Sequence, residues 1–211
     1  MVNDRSSPVT SLKHRPRPNG RVGPHARQVE FGTQHGATLW FTGLPGAGKT
    51  TMAEAVRREL TRRGRPACIL DGDALRAGLS SDLGLSRADR SEQARRAAHV
   101  AILLADCGVV ALVALVSPYA ADRHAARVLH RERDLQFCEI WVDTPVTICQ
   151  QRDPKGLYAR ARSGALKGLT GVDGPYEPPA RPDLRISESA GSPGLAAEWV
   201  VTRVLGEEWK P

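Results

Sequence analysis

Residues 43–50 read GLPGAGKT, and this segment restricts the possible fold more than any other part of the chain. It matches the pattern G-x-x-x-x-G-K-[ST] at every position. An apolar run at 37–41 precedes it and helical periodicity over 52–63 follows it, which predicts a strand, a glycine-rich loop and a helix. Such a loop directs backbone N–H groups and the positive end of the helix toward an anion. We therefore expect a phosphate-binding loop rather than a glycine-rich turn without a ligand.

The expected ligand of this loop is a nucleoside triphosphate with its Mg²⁺ ion. The Lys49 ammonium would neutralise oxygens of the β- and γ-phosphates, and the Thr50 hydroxyl would ligate the metal. Thr51 belongs to the same segment, although we interpret it as a helix-packing residue in preference to a nucleotide contact. The predicted ATP-binding residues of the loop are Gly43, Leu44, Pro45, Gly46, Ala47, Gly48, Lys49, Thr50 and Thr51.

Strand-like and helix-like patterns alternate along the rest of the chain, and no internal repeat is visible. The run at 109–116 is apolar at every position, which is typical of a central parallel strand. The alternation predicts an α/β fold with a mostly parallel central sheet, helices on both faces and right-handed crossovers. The predicted strands are 37–41, 66–70, 109–116, 137–143 and 184–186, and the predicted helices are 52–63, 86–107, 120–133, 146–151 and 195–205, with a short helix and loop over 74–85.

Composition divides the chain into a basic leader at 1–35 and a P-loop domain at 36–211. The leader has six Lys and Arg residues against two Asp and Glu residues, which is +4 of the formal net charge of +7. It is rich in Pro, Gly and Ser and lacks hydrophobic periodicity, so we expect it to be disordered. It also lacks interleaved aromatic residues, which argues against a nucleic-acid partner. Apolar runs are too short for a membrane span or a secretory signal, so we expect a cytoplasmic protein.

The four cysteines contain no C-x-x-C pair, and each lies in or beside an apolar stretch. This pattern favours buried, reduced thiols over a metal cluster. The residues concerned are Cys68, Cys107, Cys138 and Cys149.

Two carboxylates follow the second predicted strand in the segment Asp71-Gly72-Asp73. Open parallel sheets bind ligands at the carboxyl ends of their strands, so these acids are well placed for chemistry, although Asp-Gly is also a common turn pair. Farther along, residues 154–182 are crowded with Gly, Pro, Lys and Arg. A weakly structured insertion of that length in a compact domain is typical of a functional lid, so we expect a mobile lid there.

Six segments between Gly36 and Ile186 give the chain a strong resemblance to the adenylylsulfate (APS) kinase family. They are GLPGAGKTT, LDGDALRAGL, DLGLSRADR, VSPYAADR, DTPVTICQQRDPKGLYARAR and LTGVDGPYEPP. The resemblance implies a P-loop kinase that transfers the γ-phosphate of ATP to the 3′-hydroxyl of APS and forms 3′-phosphoadenylyl sulfate (PAPS) in sulfate activation. It also implies Mg²⁺ as the accompanying ion and a homodimer as the assembly.

The same resemblance implies roles for individual residues. Asp73 would orient or deprotonate the acceptor hydroxyl and organise Mg²⁺, with Asp71 as a weaker candidate. Arg76 and Arg90 would bind the phosphosulfate of the acceptor, which suits a guanidinium fork. Lys155 would move over the phosphates when the lid closes.

Arg152 would flank the ATP in the same reading. Ser117 matches the family's phosphoserine position, but in-line transfer needs no enzyme intermediate, so a strand-end serine that satisfies a turn is an equal alternative. Tyr119, Tyr158 and Tyr176 are interpreted as lid or core packing without a chemical role. The predicted catalytic residues are Lys49, Asp73, Ser117 and Lys155.

Four positions depart from the family pattern. Ala74 and Gln93 each replace a usual Asn, while Leu85 and Leu169 stand where the family has phenylalanines that sandwich the adenine of APS. Leucine keeps an apolar wall but removes stacking worth about 1 kcal/mol per aromatic contact, so the acceptor site could be looser or accept another group. The predicted substrate-binding residues are Asp71, Arg76, Leu85, Arg90, Gln93, Lys155 and Leu169.

Three functions therefore remain open from the sequence. The first is APS kinase, and the second is an APS-kinase-like phosphotransferase that acts on a different nucleotide or small hydroxyl compound. The third is a nucleotide-dependent switch or nucleic-acid-associated regulator, which the basic leader suggests. This third function leaves the lid motifs unexplained, and the sequence has no guanine-reading [NT]-K-x-D element.

Overall fold

Parallel strands and their connecting helices make up the part of the chain that the computed structural model describes, residues 36–187 and 190–205. The strands are β1 (Ala37–Thr42), β2 (Ala67–Asp71), β3 (Val110–Ala114), β4 (Gln136–Asp143) and β5 (Leu184–Ser187). The helices are α1 (Lys49–Arg62), α2 (Gly72–Ala77), α3 (Arg87–Asp106), α4 (Ala120–Arg131), α5 (Val146–Arg152), α6 (Leu157–Arg162) and α7 (Pro193–Leu205). The expected disordered leader at 1–35 lies outside the described residues.

The strands form one sheet in the order β2-β3-β1-β4-β5, and every pair is parallel. Strand β1 is central, because Leu39 is paired with Leu112 of β3 on one side and Cys138 of β4 on the other. All six residues of β1 are buried. The carboxyl ends of β1, β2 and β3 therefore lie side by side at one edge of the sheet.

Helices cover both faces of this sheet, which confirms the predicted α/β class. Successive side chains of a strand point to opposite faces. Leu39 and Phe41 pack with α1 and α7, whereas Trp40 packs with α3 and α4. Within the described ranges, each helix is too short or too polar to cross a membrane.

Helix α3 contacts the sheet through a face of small side chains. The buried alanines on this face are Ala94, Ala97, Ala98, Ala101 and Ala105. The Ser86 hydroxyl accepts a hydrogen bond from the Asp89 N–H at 3.1 Å and the Asp89 carboxylate accepts one from the Ser86 N–H, so Ser86 caps α3 near the start of the predicted helix.

Three local expectations were wrong. Helix α2 begins at Gly72, before the predicted short helix, because the Asp71 carboxylate accepts hydrogen bonds from the first N–H groups. Residues 154–182 are less irregular than expected, since they contain α6. All four cysteines are free thiols, but only Cys149 is buried as expected, since Cys68 and Cys138 are half-buried and Cys107, at the end of α3, is exposed.

The central strand β3 supports a stability prediction. Leu112 is fully buried, so Leu112→Ala should lower the free energy of unfolding by about 2–5 kcal/mol through lost burial and a cavity. Leu103→Ala is the matched control, because Leu103 is 62% exposed and its loss should change stability by about 0.5 kcal/mol or less. Urea unfolding followed by circular dichroism measures both, and equal losses would contradict the described core.

Candidate active site

The loop between β1 and α1 has the backbone conformation that its glycines permit. Gly46 has φ of 77°, and a Cβ at this position would lie 3.0 Å from the carbonyl oxygen of Cys149. Gly48 has φ of 98° and caps α1 without a side-chain hydrogen bond. The first N–H groups of α1 therefore lack a side-chain cap and are placed to bind an anion.

Two side chains from other elements hold this loop in place. The Thr144 hydroxyl, after β4, donates to the Ala47 carbonyl at 2.9 Å. The buried Tyr158 hydroxyl, on α6, donates to the Pro45 carbonyl at 2.9 Å. The sequence interpretation gave Tyr158 only a packing role and gave Thr144 no role. Local sequence patterns do not reveal either contact, because each side chain bonds to a carbonyl that is distant in sequence.

Lys49 is buried and turns back onto its own loop. Its ammonium donates to the carbonyl oxygens of Gly43 at 3.0 Å and Leu44 at 2.8 Å. Burial lowers the pKa of Lys49 from 10.5 to about 8 because it disfavours the charged form. An anion at the loop would oppose this effect by stabilising the ammonium.

Thr50 contacts Asp71 rather than Asp73. The Thr50 hydroxyl donates to the Asp71 carboxylate at 2.7 Å, and the same carboxylate caps α2 through the N–H groups of Asp73 and Ala74. A hydroxyl and a carboxylate in contact are hard oxygen donors, which fit Mg²⁺. The predicted metal residues were Thr50 and Asp73, so the structure adds Asp71 to the candidates and places it nearer to Thr50.

The Asp73 carboxylate forms an ion pair with the Lys155 ammonium, which comes from the loop after α5. The two side chains are 67% and 56% exposed. Ion pairs this exposed contribute about 0–1 kcal/mol, so substrates can exchange with this one at little cost. Two predicted catalytic residues are thus in direct contact.

Arg76 and Arg90 are cations that bond to carbonyl oxygens. Arg76 donates to Leu83 and Gly84, whereas Arg90 donates to Leu85 at 2.9 Å and to the lid residue Gly168 at 3.2 Å. Among the residues that the structure describes, neither guanidinium has a carboxylate within salt-bridge distance. Burial lowers the pKa of both, and the charge of Arg76 lowers the pKa of Arg90 further. Two adjacent cations of this kind form a candidate anion site.

The four positions that depart from the family pattern lie in different environments. Leu85 is 48% exposed and Leu169 is buried. Ala74 is exposed on α2 and does not line the cleft described below. Gln93 is buried, and its amide nitrogen donates to the Gly72 carbonyl at 3.1 Å.

Ser117 has a strained backbone conformation in the segment after β3. Its φ is 42°, a left-handed conformation that costs on the order of 1 kcal/mol outside glycine. The Ser117 hydroxyl accepts a hydrogen bond from the Trp40 indole at 3.0 Å, and its carbonyl accepts one from the buried Arg123 at 2.6 Å. Arg123 also donates to Glu139 and to the Glu177 carbonyl, yet the sequence interpretation gave it no role. Catalysis by Ser117 stays a prediction, and so does the alternative of a serine that satisfies a turn, because its hydroxyl bonds to the Trp40 indole.

Thr51 and Arg152 both lie near the start of α1. Thr51 is exposed, so the interpretation as helix packing was wrong for this residue. Arg152 is exposed as well, and its guanidinium lies 3.8 Å from the position that a Cβ on Gly48 would take. Both side chains are accessible to a nucleotide.

The expected lid at 154–182 contains an ordered turn. The Asp173 carboxylate accepts hydrogen bonds from the N–H groups of Gly168 at 2.7 Å and Leu169 at 2.8 Å. These bonds lower the pKa of Asp173 and fix the shape of the turn. Lid movement itself stays a prediction.

One cleft of about 1000 Å³ brings most of the predicted site together. The predicted residues that line it are Pro45, Gly46, Ala47, Gly48, Lys49, Thr50, Thr51, Asp71, Asp73, Arg76, Leu85, Arg90, Gln93, Ser117, Arg152, Lys155 and Leu169. Gly43 and Leu44 are outside this lining and contribute the carbonyl oxygens that hold Lys49. The lining also includes a group of mostly small residues that the sequence interpretation missed. They are Ile186, Ser187, Ala190, Gly191, Pro193 and Ala196.

Comparison with known proteins agrees with this geometry. The family model described as Adenylylsulphate kinase matches residues 35–187, more than half of the chain. The chain belongs to the adenylylsulphate kinase family. Within this family, the adenylyl-sulfate kinase of Geotalea daltonii is 49% identical over 154 residues, which cover 73% of this chain and 75% of the relative.

Two further relatives come from Mycobacterium tuberculosis. The bifunctional enzyme CysN/CysC is 52% identical over 152 residues, which cover 72% of this chain. This chain spans 25% of the length of that relative. The solved structure of the APS kinase CysC in complex with AMPPNP and APS has a TM-score of 0.79 and 48% identity, covering 81% of this chain and 98% of that one. The P-loop kinase fold predicted from the sequence is confirmed.

The buried Lys49 predicts proton uptake when nucleotide binds. Its pKa of about 8 means that the free protein loses this proton as the pH rises through that value. Bound phosphates should raise the pKa, so binding at about pH 9 should take up a proton and weaken with rising pH, whereas binding at about pH 7 should not. Calorimetry with Mg²⁺ and a non-hydrolysable ATP analogue, in buffers of different ionisation enthalpy, measures this uptake.

Lys49→Arg is the control for that measurement, because an arginine stays protonated across this pH range. The variant should bind without proton uptake at either pH. Equal uptake by both proteins at the higher pH would assign the proton to another group.

Proposed function

We propose that this chain transfers the γ-phosphate of ATP to the 3′-hydroxyl of APS and releases ADP and PAPS. The observation that carries the proposal is one cleft with a phosphate-binding loop, the Asp73 carboxylate and the carbonyl-bound pair Arg76 and Arg90. A neutral acceptor would not require that second cationic site. Family membership, and the AMPPNP and APS of the similar M. tuberculosis structure, support the same assignment.

On the donor side, the residues of the loop would hold the phosphates and neutralise their charge. The N–H groups at the start of α1 and the Lys49 ammonium would surround the β- and γ-phosphates. Mg²⁺, when bound by Thr50 and Asp71 with Asp73 as a further candidate, would supply additional positive charge at the phosphates. Arg152 would flank the nucleotide near Gly48.

On the acceptor side, Asp73 would take the proton of the attacking hydroxyl. The acceptor oxygen forms a bond to the γ-phosphorus while the bond between this phosphorus and the bridging oxygen to the β-phosphate breaks. Arg76 and Arg90 would hold the phosphosulfate and so orient the hydroxyl. Lys155 would leave Asp73 for the phosphates, which frees the carboxylate as a base.

A different anionic acceptor is the second candidate. Leu85 is 48% exposed in the cleft, and neither it nor Leu169 can stack on a base as an aromatic ring does. This apolar wall suits an adenosine but would discriminate weakly against another group of similar size. The cationic pair would still require the acceptor to carry an anion.

The remaining expectations stay predictions. They are Mg²⁺ as the metal ion, a homodimer as the assembly and the cytoplasm as the location. A related APS kinase from Thiobacillus denitrificans is hexameric.

Separation of ADP and PAPS from a mixture of ATP, Mg²⁺ and APS tests the proposed function. We expect both products in equal amounts with the full chain. Turnover only with other nucleotide or hydroxyl acceptors would support the second candidate. ATP binding without transfer, together with salt-sensitive nucleic-acid affinity that disappears when residues 1–35 are deleted, would instead support a regulator.

Asp73→Asn tests the proton acceptor. This variant should lower kcat about 100-fold or more, while the affinity for ATP stays nearly constant, because the amide cannot take a proton. Rapid-quench measurement of PAPS formation gives the rate. An unchanged rate would place the base elsewhere.

Arg76→Gln tests the anion site. Loss of a charge-assisted hydrogen bond should raise the KM for APS about tenfold or more and leave the KM for ATP unchanged. Arg58→Gln, at an exposed position of α1, is the matched control and should alter neither constant. An equal effect on both substrates would argue against a separate acceptor site at Arg76.

A further inference from the structure

Gln93 is a polar side chain on the buried face of α3. Its neighbours along that face are alanines, and Gln93 itself is 6% exposed. A buried amide costs free energy unless its polar atoms have partners. The hydrogen bond that Gln93 makes therefore identifies the role of the residue better than its position does.

The amide nitrogen of Gln93 donates to the Gly72 carbonyl at 3.1 Å. A carbonyl oxygen accepts and cannot donate, so the amide orientation is fixed by its partner. Within the described part of the chain, the Gln93 side chain makes this one hydrogen bond. It joins α3 to the peptide that links the two acids after β2.

The segment Asp71-Gly72-Asp73 is held from three directions. Thr50 of α1 donates to the Asp71 carboxylate. A Cβ on Gly72 would lie 3.1 Å from the Leu115 side chain, so the end of β3 closes a second side. Gln93 holds the third side through the Gly72 carbonyl, which belongs to the peptide bond between Gly72 and Asp73.

We propose that Gln93 is a positioning residue that acts through Asp73. By holding the Gly72 carbonyl, it fixes the first turn of α2 and with it the direction of the Asp73 carboxylate. This inference rests on the proposed kinase reaction, in which Asp73 takes the hydroxyl proton. A helix of six residues is marginal alone, so an external hydrogen bond at its start matters for its geometry.

Gln93→Met keeps the length and volume of the side chain and removes its hydrogen-bond donor. Because small misplacements of a catalytic group lower rates up to about 100-fold, kcat should fall by about tenfold or more. The KM values for ATP and APS should stay constant. Gln136→Met is the matched control, since this exposed glutamine begins β4 and does not line the cleft, and it should have no effect.

A double-mutant cycle with Asp73→Asn gives the deciding result. If Gln93 acts through Asp73, then Gln93→Met should cause little further loss of kcat in the Asp73→Asn protein. Multiplied losses would show that the two residues act independently and would overturn the proposal. An unchanged kcat, or a raised KM for APS at constant kcat, would overturn it as well.

Hydrogen exchange provides a readout without catalysis. The N–H groups of Asp73 and Ala74 bond to the Asp71 carboxylate, and both should exchange faster in Gln93→Met, whereas unchanged exchange would overturn the proposal. If the unaltered chain transfers no phosphate to APS, the proposed function fails and this measurement still decides the role of Gln93. If Gln93→Met does not fold, Gln93→Glu replaces it, because an ionised carboxylate cannot donate to the Gly72 carbonyl.

Discussion

The pairing of β3 between β2 and β1 is the constraint on which the candidate site depends. In this parallel ladder, Ala114 of β3 lies opposite Phe41 of β1 and Asp71 of β2. The phosphate-binding loop and the acids therefore leave the sheet at nearly the same level. A slip of one residue would move each buried side chain to the opposite face, so the packed core maintains the register. The distance between the phosphate-binding loop and the acids after β2 is thus set by the main-chain hydrogen bonds of the sheet.

Cations in the cleft bind main-chain carbonyl oxygens in preference to carboxylates. Lys49, Arg76 and Arg90 are each held in this way. A carbonyl dipole fixes a cation without cancelling its net charge, so the positive potential of the cleft remains available to polyanions. The Asp73–Lys155 ion pair differs, because both side chains are largely exposed and their mutual attraction is weak. Lys49 is therefore buried and Arg76 and Arg90 are half-buried, whereas the exchangeable cation, Lys155, is largely exposed in the loop after α5.

The sequence was sufficient where one contiguous segment carried the signal. Periodicity and glycine spacing predicted the strands, the helices other than α6 and the loop around Lys49, and the Ser86 cap could be read from its own motif. It was insufficient where the partner lay far along the chain. The bond of Tyr158 to the phosphate-binding loop and that of Gln93 to Gly72 depend on tertiary packing, which local patterns do not encode.

The alanine face of α3 also limits how this protein can diverge. Ala97, Ala101 and Ala105 leave almost no space between the helix and the sheet, and a Cβ on Gly36 would lie 2.4 Å from the Ala105 carbonyl oxygen. A larger residue at any of these alanines would lift the helix by a fraction of an ångström or more. The hydrogen bond from Gln93 to Gly72 would then lengthen, although no residue of the cleft had changed. Substitutions at the alanines of α3 are therefore coupled to the position of Gln93, which lies near the other end of the same helix.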